Sequence, residues 1–289
     1  MPSRANRNKS FVYAEHVGEY VDIQGLRIHY IAAGDGDPVL FVHGIGQSGY
    51  TWRYNFMPFS EQFLCVAPDL IGYGFSDKPD LTYTIEENSE FLLAFLNALR
   101  IKQTHIVAMG TGAVYALDFM IHYPDRVGRA AMIAPGGLTS SMPSQLRMMG
   151  MGGFSRVAGA TMGRRTIKNL LSQCMFDQTF ITEDDVDAYF MTLDSKEARE
   201  VLKRSIINFD EDDVITKLRH LPHEVLFCWG QEDRWRPVAD AKIYTAPVDN
   251  SDLFVLRNCG HLMHEEKHDQ FNDFVIPFLR GDLPQEEDE

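Results

Sequence analysis

The sequence predicts an α/β fold: a mostly parallel eight-stranded sheet, covered by helices on both faces and carrying an inserted helical cap. Three observations point there. Short apolar runs alternate with helical patterns along most of the chain, as parallel strands buried on both faces do. Two alternating segments near the start flank a glycine, the pattern of a hairpin. The interval 136–220 breaks the rhythm and shows no strand.

Taken in order, residues 1–15 read as a loose tail. Residues 21–23 and 26–30 alternate around Gly25, which predicts the hairpin. The runs 39–42, 63–67, 106–109, 130–133, 225–229 and 253–256 have the length and apolar content of buried parallel strands. Helical patterns such as 85–99 separate them. The interval 136–220 holds Met142, Met148, Met149, Met151, Met162, Met175 and Met191, with Phe154, Phe176, Phe180, Tyr189 and Phe190. Methionine is flexible and polarisable, so this cap is expected to cover the carboxyl ends of the strands and shape an adaptable apolar pocket. Two or three of its residues are expected to touch a ligand, with Met149 and Phe176 as candidates. The core is then 1–135 and 221–289, with the cap at 136–220. The acidic end, Glu286-Glu287-Asp288-Glu289, reads as a solvated tail.

Composition narrows the function. The 289 residues carry a formal net charge of −14, which argues against nucleic acid, because neutralising phosphates takes a surplus of lysine and arginine. Cys65, Cys174, Cys228 and Cys259 have no short repeating spacing and read as buried free thiols in a reducing compartment. The basic start lacks the apolar core of a signal peptide, and no run approaches the ~18 apolar residues of a membrane span. These features predict a soluble protein of a reducing compartment; the expectation alongside them is a cytoplasmic monomer or homodimer acting on a small molecule, with no membrane, metal or cofactor.

The chemistry centres on His105-Ile106-Val107-Ala108-Met109-Gly110-Thr111-Gly112-Ala113, which runs from a strand into a helix. Small residues at 108 and 112 flank position 110, the layout of a G-x-S-x-G nucleophile elbow. The central residue is glycine. Around it stand His43-Gly44-Ile45-Gly46 after a strand, the turn Asp69-Leu70-Ile71-Gly72-Tyr73-Gly74-Phe75-Ser76, and Tyr123-Pro124-Asp125-Arg126-Val127. Trp229-Gly230-Gln231-Glu232-Asp233 and Gly260-His261 follow. Over residues 20–280 the chain resembles the α/β-hydrolase fold superfamily, with its nucleophile–acid–histidine order. It is most similar to the branch of C–C bond hydrolases, epoxide hydrolases and haloalkane dehalogenases.

The resemblance implies a His261–Asp233 dyad, with the nucleophile position, Gly110, lacking any side chain that could attack. It implies backbone oxyanion donors at Ile45 and Thr111, and pocket walls from Gly44, Trp52 and Trp235. Neither Thr111 nor Cys259 replaces the nucleophile: a one-residue shift turns Thr111 away, and Cys259 leads a loop. Arg236 is assigned to the surface. His264-Glu265-Glu266-Lys267-His268 matches H-E-x-x-H, a zinc pattern when on a helix. It lacks an obvious third ligand, so no metal is expected.

Three readings follow. In the first, His261–Asp233 deprotonates a small, mostly apolar, oxygen-rich metabolite whose anion the two amides hold, giving a lyase, decarboxylase or cyclase. The second is a serine hydrolase of an ester or C–C bond whose nucleophile has been replaced by glycine. The third is a catalytically inactive small-molecule-binding protein. The sequence favours the first.

Overall fold

The computed structural model describes residues 18–137, 142–151 and 162–282. The predicted tails and Phe154 lie outside the described residues. Eight strands form one sheet: β1 (Glu19–Ile23), β2 (Leu26–Ala33), β3 (Pro38–Val42), β4 (Leu64–Pro68), β5 (Thr104–Met109), β6 (Val127–Ile133), β7 (Val225–Gly230) and β8 (Ser251–Leu256). Their spatial order is β1-β2-β4-β3-β5-β6-β7-β8. β1 pairs antiparallel with β2, and β2 antiparallel with β4. From β4 to β8 every pairing is parallel. All six residues of β7 are buried, which explains why this strand reads as a continuous apolar run rather than an alternating one.

The helices flanking the sheet begin with α1 (Phe56–Ser60), α2 (Ile85–Ala98) and α3 (Gly110–His122). A capping box starts α2: Glu87 donates its amide to the Thr84 hydroxyl and returns its carboxylate to the Thr84 amide. α3 is buried along nearly its whole length, so its sequence is apolar all round. Between β6 and β7 the described residues form α4 (Ser144–Met149), α5 (Arg164–Cys174), α6 (Glu183–Met191), α7 (Lys196–Ile207) and α8 (Asp212–Lys217). After β7 come α9 (Ala241–Thr245), α10 (Met263–Glu266) and α11 (His268–Arg280). Among the described residues, no helix is long and apolar enough to cross a membrane.

A buried polar cluster ties α6 to the strand ends. The Arg53 guanidinium lies 2.7 Å from both Asp185 on α6 and Glu265 on α10. Tyr50 donates to Asp185 at 2.9 Å, and the Tyr189 hydroxyl donates to Glu265. Each buried charge thus faces an opposite charge, the condition under which burial is tolerated. The cluster fixes α6 above the carboxyl ends of β3 and β8, where the candidate site lies.

Candidate active site

Five strands end at one cavity of about 80 Å³. The loop after β3 brings Gly44 and Ile45, the β5–α3 junction brings Gly110 and Thr111, and the turn after β6 brings Gly136 and Gly137. Trp235 and His261 arrive on the loops after β7 and β8.

The elbow is sharp because two glycines allow it. Gly110 has φ +55°, a left-handed conformation that L side chains adopt at a cost. A Cβ on Gly112 would stand 2.1 Å from the His43 carbonyl oxygen, so only glycine lets α3 start against the loop after β3. That loop is locked by His43. Its Nδ1 donates to the Gly44 carbonyl at 2.8 Å, and its Nε2 accepts the Leu70 amide at 2.9 Å, which fixes one neutral tautomer. Burial pushes the His43 pKa below its usual value, with partial opposition from Asp69.

The acid and the histidine meet as the sequence predicts. His261 Nδ1 lies 2.7 Å from Asp233 Oδ2, and both side chains are buried. Asp233 Oδ1 accepts the Trp235 and Arg236 amides, each at 2.8 Å, so the carboxylate is oriented from both sides. The Trp229 indole donates to the Arg236 carbonyl at 2.8 Å and closes that loop. Nδ1 therefore carries the proton toward Asp233, leaving Nε2 toward Gly110. The Trp235 ring stacks on His261 with centroids 5.2 Å apart, and its indole N–H donates to the Gly137 carbonyl.

Space remains where the nucleophile would stand. A Cβ built on Gly110 meets nothing closer than the Gly136 carbonyl at 3.8 Å and His261 Nε2 at 3.9 Å. Glu266 holds the histidine loop to the segment after α5, accepting the amides of Gly260 at 2.8 Å, Phe176 at 3.2 Å and Asp177 at 2.5 Å. The His261 amide donates to the Cys174 carbonyl at 2.6 Å.

Several sequence expectations are corrected. The Ile45 amide does not stand open: it donates to the Thr111 hydroxyl at 2.8 Å. Trp52 is fully buried away from the cavity, packed on Phe41 and His264, because the turn Gly49–Trp52 rotates its ring into the core. Met149 is buried outside the lining, and Leu146, one turn earlier on α4, lines the cavity instead. Phe176 is 43% exposed, its backbone held by Glu266 while its ring points outward. Between β6 and β7 the described residues that line the cavity include Ile167, Leu170, Leu171, Leu193 and Leu202, with no methionine among them. Arg236 is buried rather than on the surface, 3.5 Å from Glu211 and 3.3 Å from the Tyr244 hydroxyl.

The H-E-x-x-H side chains are spent on structure. His264 Nε2 lies 2.8 Å from the Thr51 hydroxyl, Glu265 pairs with Arg53, Glu266 caps three amides, and His268 Nδ1 donates to the Glu265 carbonyl at 2.9 Å. The break between α10 and α11 at Lys267 keeps the two histidines off one helical face. The Cys259 thiol is buried, and burial pushes its pKa well up, the opposite of a reactive thiolate. Sequence reasoning missed Cys174, Tyr189 and Gln47 in the lining. Of these only Gln47, four residues after His43, stood close to a recognisable motif.

Residues 39–274 match the profile of the Alpha/beta hydrolase family. The chain belongs to that family. It is 28% identical over 272 residues to 2-hydroxy-6-oxo-6-phenylhexa-2,4-dienoate hydrolase of Comamonas testosteroni, covering 90% of this chain and 93% of that one. It is 27% identical over 271 residues to the 2-hydroxy-6-oxononadienedioate/2-hydroxy-6-oxononatrienedioate hydrolase of the same organism, covering 89% and 92%. Among solved structures, a serine-to-alanine mutant of a meta-cleavage product hydrolase from Pseudomonas fluorescens IP01 superposes with a TM-score of 0.81. That match has 24% identity and covers 92% of this chain and 98% of the other, a likeness of fold. These relatives overturn the expectation of a non-hydrolytic lyase or cyclase. By name they are hydrolases, and each alignment spans about nine-tenths or more of both chains.

Proposed function

We propose that this protein is a hydrolase that cleaves an ester or a C–C bond beside a carbonyl in a small, mostly apolar substrate, with water in the role that serine plays in G-x-S-x-G enzymes. One observation carries the reading: the open space beside Gly110 faces His261 Nε2, whose ring Asp233 orients through Nδ1. A water there would hydrogen-bond to Nε2. As it attacks the substrate carbonyl carbon, its proton passes to Nε2, and Asp233 stabilises the resulting imidazolium. The carbonyl oxygen becomes an oxyanion beside Thr111. The tetrahedral intermediate then expels the alkoxide or carbanion, which takes the proton from His261, and the acid product leaves. The balance is one water consumed and one bond cleaved.

The names of the relatives make oxo-dienoates the first substrates to try on this chain, and the leucine-rich cavity supports an apolar acyl group. The four buried free thiols support a cytoplasmic setting, where the protein would act as a monomer or homodimer on a small molecule. The test is turnover of 2-hydroxy-6-oxo-6-phenylhexa-2,4-dienoate and of p-nitrophenyl esters by the parent protein and by His261→Ala. The reading expects hydrolysis that falls by about 10²–10⁴-fold in the variant. Ligand binding without hydrolysis, equal in both proteins, would replace it with a binding function.

A further inference from the structure

We propose that the Thr111 hydroxyl, rather than the Ile45 amide, is the second donor to the developing oxyanion, and that the Ile45 amide acts through it. The inference rests on the hydrolytic reading above and specifies how its charged intermediate is held. The Ile45 N–H points at Thr111 Oγ1 over 2.8 Å, so the position an oxyanion would take on that amide is filled by the hydroxyl. A hydroxyl that accepts through a lone pair keeps one proton, which points away from the amide it faces.

Two destinations exist for that proton. Tyr115, one turn further along α3, is buried, and its hydroxyl lies within hydrogen-bonding reach of the Thr111 side chain. Burial pushes the phenol pKa up, so its oxygen stays neutral. The other destination is the cavity, which Thr111 lines beside Gly110. Rotation about Cβ–Oγ alone exchanges them, while the β-branched side chain stays stiff at χ1. A negatively charged acceptor draws a hydroxyl proton more strongly than a neutral phenol oxygen does. When the intermediate forms, the proton swings to it, and the Ile45 N–H behind Oγ1 strengthens the donation. The Thr111 amide, in the first turn of α3 and without an intrahelical acceptor, supplies the other bond.

The competing arrangement makes Thr111 a plug: the side chain turns about χ1 and releases the Ile45 amide. The two predict opposite effects of removing the hydroxyl. The experiment compares Thr111, Thr111→Val and Thr111→Ser for p-nitrophenyl acetate hydrolysis, with circular dichroism to establish folding. The same series is run in a Gly110→Ser background, read as the rate of acylation. The second background isolates the oxyanion from the water step, so failure of the hydrolytic reading shows as a silent parent with an active Gly110→Ser series. The donor role expects Thr111→Val to lose about 10²-fold in kcat, as loss of one oxyanion donor does, with KM within about threefold. Thr111→Ser, which keeps the hydroxyl, should recover most of that loss. Thr111→Val as fast as the protein carrying Thr111, or faster, in a background that turns over overturns the proposal, as does a Gly110→Ser protein carrying Thr111 that never acylates.

Discussion

Serine at position 110 tests the alignment of the whole site. The space admits it, because the Cβ would sit 3.8 Å from the Gly136 carbonyl and 3.9 Å from His261 Nε2, ordinary contact distances. One further single bond, roughly 1.5 Å, carries Oγ into hydrogen-bond range of Nε2 in a rotamer aimed at the ring. The cost lies in the backbone. At φ +55° an L residue loses about 1–2 kcal/mol relative to glycine. The stiffer unfolded chain returns about 0.4–1 kcal/mol. A net loss near 1 kcal/mol lowers Tm by about 1–2 °C in a chain of 289 residues. Against that, a tethered hydroxyl replaces a free water, and positioning of this kind supports a gain of about 10²-fold or more on p-nitrophenyl acetate. The assay joins ester turnover with intact mass after a fluorophosphonate probe, which should add one adduct at residue 110. A variant that folds, melts within a few degrees of the parent, takes no adduct and gains no rate would refute the claim that Nε2 faces this position.

Three further outcomes follow from the same geometry. Asp233→Asn should cut hydrolysis by about 10²–10⁴-fold with KM little changed, because its amide can donate where the carboxylate accepts from Nδ1; an unchanged kcat would remove the dyad from the reaction. Glu266→Ala should lower stability by about 2–4 kcal/mol in urea unfolding, since the Gly260, Phe176 and Asp177 amides lose one charged acceptor; a loss under about 0.5 kcal/mol would contradict that role. Stability should also fall with acid through His43 and His264. Burial depresses the pKa of both, and Arg53 and His261 depress that of His264 further. The unfolded chain takes up protons near pH 6.5 that the folded chain refuses, so the contribution is whole above that pH and is lost below it toward the folded pKa values. The slope is about 1.4 kcal/mol per pH unit for each histidine, and His264→Gln should flatten it; a pH-independent Tm between 7 and 5 would refute the assignment.

The sheet was legible because strands buried on both faces read as apolar runs, and 106–109 or 225–229 admit little else. The dyad was legible because its residues stand at strand ends beside glycines that close packing requires. What failed was direction. Trp52 follows the oxyanion loop in sequence, yet one 3-10 turn sends its ring into the core against Phe41. Leu146 and Met149 share α4 and are both buried, but only the leucine reaches the cavity. Arg236 reads as a surface charge until Glu211, twenty-five positions earlier, folds against it. The Ile45–Thr111 bond joins residues sixty-six positions apart, and no local pattern announces it.

The central claim is that water, activated by His261 beside Gly110, is the nucleophile. A single turnover of p-nitrophenyl acetate in ¹⁸O-labelled water, with acid-quenched samples read by intact protein mass, tests it most directly. The account predicts acetate carrying one ¹⁸O and a protein mass that never changes during the reaction. A transient acetyl adduct on the protein, at Thr111, Cys259 or any other side chain, would contradict it.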